Sequence, residues 1–143
     1  MKSFFIAFVL FGKKYFISIF LNVAILFLCF IKTDSMPPAP VENTDKIVHF
    51  LMFMILSLTL FFDNTRYFRR KISHVGIVLW SLVFPALLGG LIEIMQENLT
   101  TYRSGDLMDF LFDGIGAFSG MIICFLINCK LKFPAQEKIK DKN

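Results

Sequence analysis
The chain has 143 residues, 56% of them apolar and 16% aromatic, with 19 Phe and only 18% charged residues. Its mean hydropathy of +0.66 excludes an ordinary soluble domain and points to an integral membrane protein. The formal charge of +4 needs no nucleic-acid partner, because the basic residues are spread over every segment facing one side of a membrane, as anchoring to an anionic leaflet requires.

Four windows reach or approach the roughly 20 apolar residues that a helix needs to cross a hydrocarbon core: residues 15–31, 47–62, 75–94 and 107–129. They predict an all-α bundle of four transmembrane helices, with residues 1–14 as an N-terminal cytoplasmic or interfacial segment, 15–129 as the membrane domain and 130–143 as a charged cytoplasmic tail. Segment 1–12 begins like a signal peptide, but Lys13 and Lys14 interrupt it and no small-residue cleavage site follows the next apolar run. It therefore reads as an interfacial stretch leading into an uncleaved first span.

Between the first two windows, Pro37, Pro38 and Pro40 favour an extended loop. Thr44 or Asn43 can then cap the second helix, and Asp45 in its first turn meets the positive end of the helix dipole. Lys46 and His49 lie three residues apart and share a helix face. This second window is the shortest of the four and the weakest on length. The basic loop that follows holds His74, which reads as solvated, while Trp80 reads as a packing or anchoring residue.

In the third window, Pro85 followed by Gly89 and Gly90 predicts a kinked or loosened helix, with Glu93 and Gln96 on one side of its last turns. In the fourth, Asp106, Asp109, Asp113, Gly116 and Gly120 recur at spacings of three, four, three and four. They form one stripe, acidic near the membrane surface and small deeper in, where a neighbouring helix can pack closely. Asp113 falls about a turn and a half inside the span by the helical period, so it must be neutral, paired or bound to a cation. Arg103 and Lys46 are the positive partners on offer. Cys29, Cys124 and Cys129 have no metal-type spacing and read as packing residues.

Orientation follows from the basic residues. With the N-terminus inside, Lys2, Lys13, Lys14, Arg66, Arg69, Arg70, Lys71, Lys130, Lys132, Lys138, Lys140 and Lys142 are inner, and only Lys32, Lys46 and Arg103 are outer. This asymmetry places both termini in the cytoplasm and the polar cluster outside. Asp45, Lys46, His49, Glu93, Gln96, Arg103, Asp106, Asp109 and Asp113 come from three segments and fall at one end of the spans. Ionisable groups at that depth are costly and mark function by default.

The run Asp45-Lys46-Ile47-Val48-His49-Phe50 with Phe53, then Glu93 and Gln96 with Arg103 seven residues on, then Asp109, Asp113, Gly116 and Gly120, resembles the VanZ-like membrane protein family over residues 40–125. Asp113 stands where that family often has Asn, which opens the choice between a hydrogen-bonding and a charged role. The resemblance implies a bacterial cell (inner) membrane protein. It also implies a link either to lipid head groups and lipid-linked envelope precursors or to resistance to glycopeptides of the teicoplanin type.

Residues and resemblance together suggest phosphodiester hydrolysis or exchange on a lipid head group. His49 would be nucleophile or general acid/base, with Glu93 or Asp109 orienting it or acting as base. Arg103 and Lys46 would hold phosphate oxygens, Gln96 would position the head group, and Asp45, Asp106 and Asp113 would complete the binding site. A divalent cation held by the acids with His49 is the alternative route. A second reading is a non-enzymatic envelope protein that binds lipid or lipoglycopeptide. A transporter ranks last, because the spans below the acidic stripe read as Phe, Leu, Ile, Met and Gly.

Overall fold
The computed structural model describes residues 12–31, 44–68, 72–100 and 105–131. The N-terminal stretch, the proline loop, Asn43, the centre of the basic loop, Arg103 and the charged tail lie outside the described residues. Within them no strand forms, residues 12–14 are helical up to a bend at Tyr15, and four longer helices follow: α1 (Phe16–Phe30), α2 (Thr44–Phe68), α3 (His74–Leu99) and α4 (Leu107–Lys130). Apolar stretches of 23, 26 and 24 residues in α2, α3 and α4 rise about 35–39 Å at 1.5 Å per residue, more than the hydrocarbon core of about 30 Å. The protein is a multi-pass membrane protein. Large apolar side chains such as Phe20, Phe27, Leu87, Ile94, Ile115 and Leu126 are exposed on the outside of the bundle, where lipid is the natural solvent.

The expected ranking of lengths is reversed. The first window is the short one, since α1 has 15 residues and rises only about 22 Å, whereas α2 has 25. Helix α2 outruns its apolar window because its polar last turns are satisfied by the start of α1. Ser18 donates both its N–H and its Oγ–H to Asp63 Oδ2, at 3.1 and 2.7 Å, and the Tyr15 hydroxyl donates to Asn64 Oδ1 at 2.9 Å. Buried polar groups with such partners do not end a helix.

Successive helices alternate in direction, so α2 and α4 run parallel with their N-termini at the same end. Glycines set how closely these two approach: a Cβ on Gly116 would collide with the Phe50 carbonyl, and one on Gly120 would lie 2.5 Å from Ser57 Cβ and 2.9 Å from the Met54 carbonyl oxygen. This is the small-residue contact, four residues apart, that lets membrane helices touch backbone to backbone. Helix α1 packs Ile25 and Cys29 against Phe53, Leu56 and Ile92, and Phe61, Ile77, Met121 and Cys124 form a second core toward the other end.

Pro85 acts one turn before itself. Residues Leu79–Val83 form a widened π-helical turn, because the proline ring crowds the carbonyl of residue 81 and has no N–H to offer it. The Ser57 hydroxyl of α2 donates to that Ser81 carbonyl and also to the Ala117 carbonyl of α4, the latter at 3.0 Å. The interior below the acidic stripe is therefore not wholly apolar: Ser57, Ser81 and Asn128 are buried there. Ser57 ties helix backbones together, and Asn128 clips both the N–H and the C=O of Ile72.

Candidate functional site
The polar residues at the N-terminal end of α2 meet those of α4 and the last turns of α3 in order of depth. Side-chain exposure falls from 51% at Asp45 and 46% at Asp106 to 17% at Lys46, 5% at Asp109, 3% at His49 and 0% at Asp113. The parallel register of α2 and α4 produces this ladder, because a helical face with a step of three to four residues meets another with the same step. Lys46 faces Asp106 and Asp109, at 3.2 and 3.4 Å. One turn deeper, His49 faces Asp109 and Asp113.

The deepest contact departs from expectation. Asp113 is paired with His49, at 2.9 Å from Nδ1, and not with Lys46, which reaches only the acids nearer the surface. With Asp113 ionised its carboxylate only accepts, so Nδ1 donates to it and Nε2 is the ring nitrogen on the side of Asp109. Nε2 lies 3.7 Å from Asp109 Oδ2. Gly89 of α3 makes room for this arrangement, as a Cβ there would stand 2.7 Å from Asp113 Oδ2. Gly89 thus serves close approach, leaving space for an acid on the neighbouring helix.

Glu93 and Gln96, expected on one side of the last turns, are both buried and serve different neighbours. Glu93 Oε2 accepts from the Asp106 N–H at 2.7 Å, while Gln96 Nε2 donates to the Cys29 carbonyl of α1 at 2.8 Å. Glu97, absent from the candidate residues, accepts from the Gly105 N–H at 2.9 Å. Together Glu93 and Glu97 seat the start of α4 on the end of α3, and Gly105 is needed there because a Cβ would come within 2.7 Å of the Glu93 carbonyl oxygen. Asp106 caps α4 by accepting from the Met108 N–H at 2.8 Å. That bond, and then the Lys46 ammonium, hold its carboxyl below the ordinary carboxylate range.

His49, Glu93 and Asp109 each offer a ligand atom within 4.8 Å of the others, and all three are buried. Among the described residues the cluster thus contains an imidazole held by a carboxylate, two further buried carboxylates and, nearest the surface, the Lys46 ammonium. Asp45 sits at the rim beside Lys46, at 3.6 Å. Such a set can hold a phosphate-bearing group at Lys46 and move protons, or hold a cation, at His49.

A family model described as VanZ/LLP1 matches residues 4–128. The chain belongs to the VanZ/LLP1 family. The match covers α1 to all but the end of α4, so the whole four-helix unit, and not only the acidic motifs, is the family's. A protein of Schizosaccharomyces pombe (strain 972), described only as uncharacterized, is 29% identical over 106 residues, which are 73% of this chain and 58% of that protein. The chain therefore spans under two thirds of that relative's length. No solved structure matches the chain.

Proposed function
We propose that this VanZ/LLP1 protein acts on the phosphate-bearing head group of a membrane lipid or lipid-linked envelope precursor, by phosphodiester hydrolysis or exchange. The observation that carries the reading is the buried His49–Asp113 pair. A carboxylate of 0% exposure that locks one ring nitrogen and aims the other at a polar pocket is an arrangement for chemistry, since an apolar pair would fill the same space without the cost of desolvation. Lys46 at the mouth supplies a point charge for a phosphate oxygen. The attacking water or hydroxyl is activated beside Nε2 and Asp109. Its oxygen forms a new bond to phosphorus, one ester P–O bond breaks, and the proton passes through the bases of the pocket to the leaving oxygen.

The site lies at the head-group end of a four-span bundle, with α1 as the fourth span. It faces away from the cytoplasm, and both termini are cytoplasmic. Support comes from the charges at the other end, where Lys13, Lys14, Arg66 and Lys130 flank the helices.

The test is mass spectrometry of membrane lipids and lipid-linked precursors from cells producing the wild type, His49→Gln or Lys46→Met at matched levels. The expected result is one head-group species altered by the wild type and restored by His49→Gln, with partial restoration by Lys46→Met. Equal effects of the wild type and His49→Gln would overturn the reading. No change in any species, with a specific lipid or lipoglycopeptide retained on the purified protein, would replace it by a binding role.

A further inference from the structure
We infer that His49 Nε2, a carboxylate oxygen of Glu93 and a carboxylate oxygen of Asp109 together hold one divalent transition-metal ion of the Zn2+ or Mn2+ kind, with Asp113 as the residue that orients the histidine. The inference rests on and refines the reading of the same cluster as a phosphate-handling site, since with Nε2 bound to an ion the activation of the attacking oxygen would fall to that ion and not to the imidazole; the binding itself does not depend on that reading.

Three observations point to it. First, the three donors come from α2, α3 and α4 and converge within 4.8 Å of one another. Two ligands each about 2.0–2.2 Å from a common ion are at most about 4.4 Å apart, so a small inward adjustment closes the set. His49 Nε2 and Asp109 Oδ2, at 3.7 Å, are too far apart for a hydrogen bond and suitably spaced for two ligands of one ion.

Second, Glu93 Oε1 has no hydrogen-bond partner among the described residues, although Glu93 is only 9% exposed. A buried carboxylate oxygen left without a donor is costly unless a cation meets it. Its other oxygen is occupied by the Asp106 N–H, which aims the carboxylate while keeping it an acceptor.

Third, the histidine is prepared as a ligand. Metal-bound imidazoles almost always donate their other N–H to a carboxylate or carbonyl, which sets the tautomer and raises basicity, and Asp113 stands in that relation to His49. One imidazole with two carboxylates favours a borderline ion over Ca2+ or Mg2+, which prefer all-oxygen sites. Lys46 lies 3.4 Å from the other oxygen of Asp109, so a phosphate group at the pocket mouth would meet the ion and the ammonium together.

The experiment uses the full chain, purified in detergent, stripped with a chelator and titrated with Mn2+ while free and bound ion are followed by electron paramagnetic resonance. One Mn2+ per chain is expected, with pulsed spectra showing coupling to an imidazole nitrogen. Affinity should fall at least tenfold in His49→Gln and in Glu93→Gln, and 10- to 100-fold in Asp113→Asn. Asp141→Asn, an acid of the C-terminal tail, should change it less than twofold. The nitrogen coupling is read on the wild type and so does not depend on any variant folding. Its absence, or an affinity unchanged in His49→Gln, would overturn the inference. Lipid turnover in metal-free protein, together with no 1:1 Mn2+ binding in the titration, would overturn the ion and leave the lipid reading standing. A 1:1 nitrogen-coordinated ion in a protein that alters no lipid would support the ion and remove the lipid reading.

Discussion

A methyl group added at Gly116 measures how tightly α2 and α4 are joined. The Cβ of Gly116→Ala would collide with the carbonyl oxygen of Phe50 and lie 3.0 and 3.1 Å from its C and Cα. These are backbone atoms, with no rotamer to take up the strain. Restoring carbon–carbon separations of about 3.5–4.0 Å requires moving the helices apart by roughly 0.5–1 Å. Overpacking of this kind costs about 1–3 kcal/mol, and a backbone obstacle belongs in the upper part of that range. Replacing a helical glycine by alanine returns about 0.5–1 kcal/mol, so a net loss of about 1–2 kcal/mol is expected. Gly114→Ala is the matched control, two residues away on the same helix with nothing within 4 Å of its Cβ. It should gain about 0.5–1 kcal/mol. The two variants are compared by unfolding in mixed micelles of rising SDS content, followed by far-UV circular dichroism. The same displacement would stretch the 2.9 Å contact of His49 with Asp113 past hydrogen-bonding length, so Gly116→Ala should lose function along with stability. A Gly116→Ala protein as stable as Gly114→Ala would refute the close backbone contact and the register built on it.

Ser57→Ala removes the donor shared by the Ser81 and Ala117 carbonyls and should cost about 1–2 kcal/mol. In a Pro85→Ala background the new N–H can reach the Ser81 carbonyl, so the loss should shrink by about 0.5 kcal/mol or more; equal losses in both backgrounds would contradict the assignment. Asp63→Ala strips Ser18 of the acceptor for both its N–H and hydroxyl, and a loss of about 1–3 kcal/mol is expected, with faster hydrogen exchange concentrated in the first turn of α1. Asp106 gives a pH signature. Its carboxyl titrates lower in the folded protein than the ordinary value of 3.8, so its stabilisation is fully present above that value and is lost as pH falls through the folded one. The stability gap between wild type and Asp106→Asn should be constant from about pH 5 upward and close below about pH 4; a gap that stays open in acid would remove Asp106 from the helix cap.

What local order dictates was legible in the amino-acid sequence. Hydropathy marked the three long apolar helices, and the helical period placed Lys46 with His49 on one face and Asp106, Asp109, Asp113, Gly116 and Gly120 on another. These are properties of one helix at a time. The partner of Asp113 was not legible, because any cation near the surface satisfied the same rule; the register of α2 on α4 decided for His49 over Lys46. Nor was the true length of α2, since Asp63 and Asn64 read as a helix end until Tyr15 and Ser18 of a distant segment supplied their bonds. Ser57 and Ser81 passed as incidental for a related reason: the carbonyl that Pro85 leaves free becomes visible as a demand only when a second helix brings a hydroxyl to it. Composition and period determined a membrane bundle with an acidic, histidine-bearing end. Tertiary structure decided which groups touch, because contacts between helices depend on axial register, and register is set by where Gly89, Gly116 and Gly120 let neighbouring atoms meet.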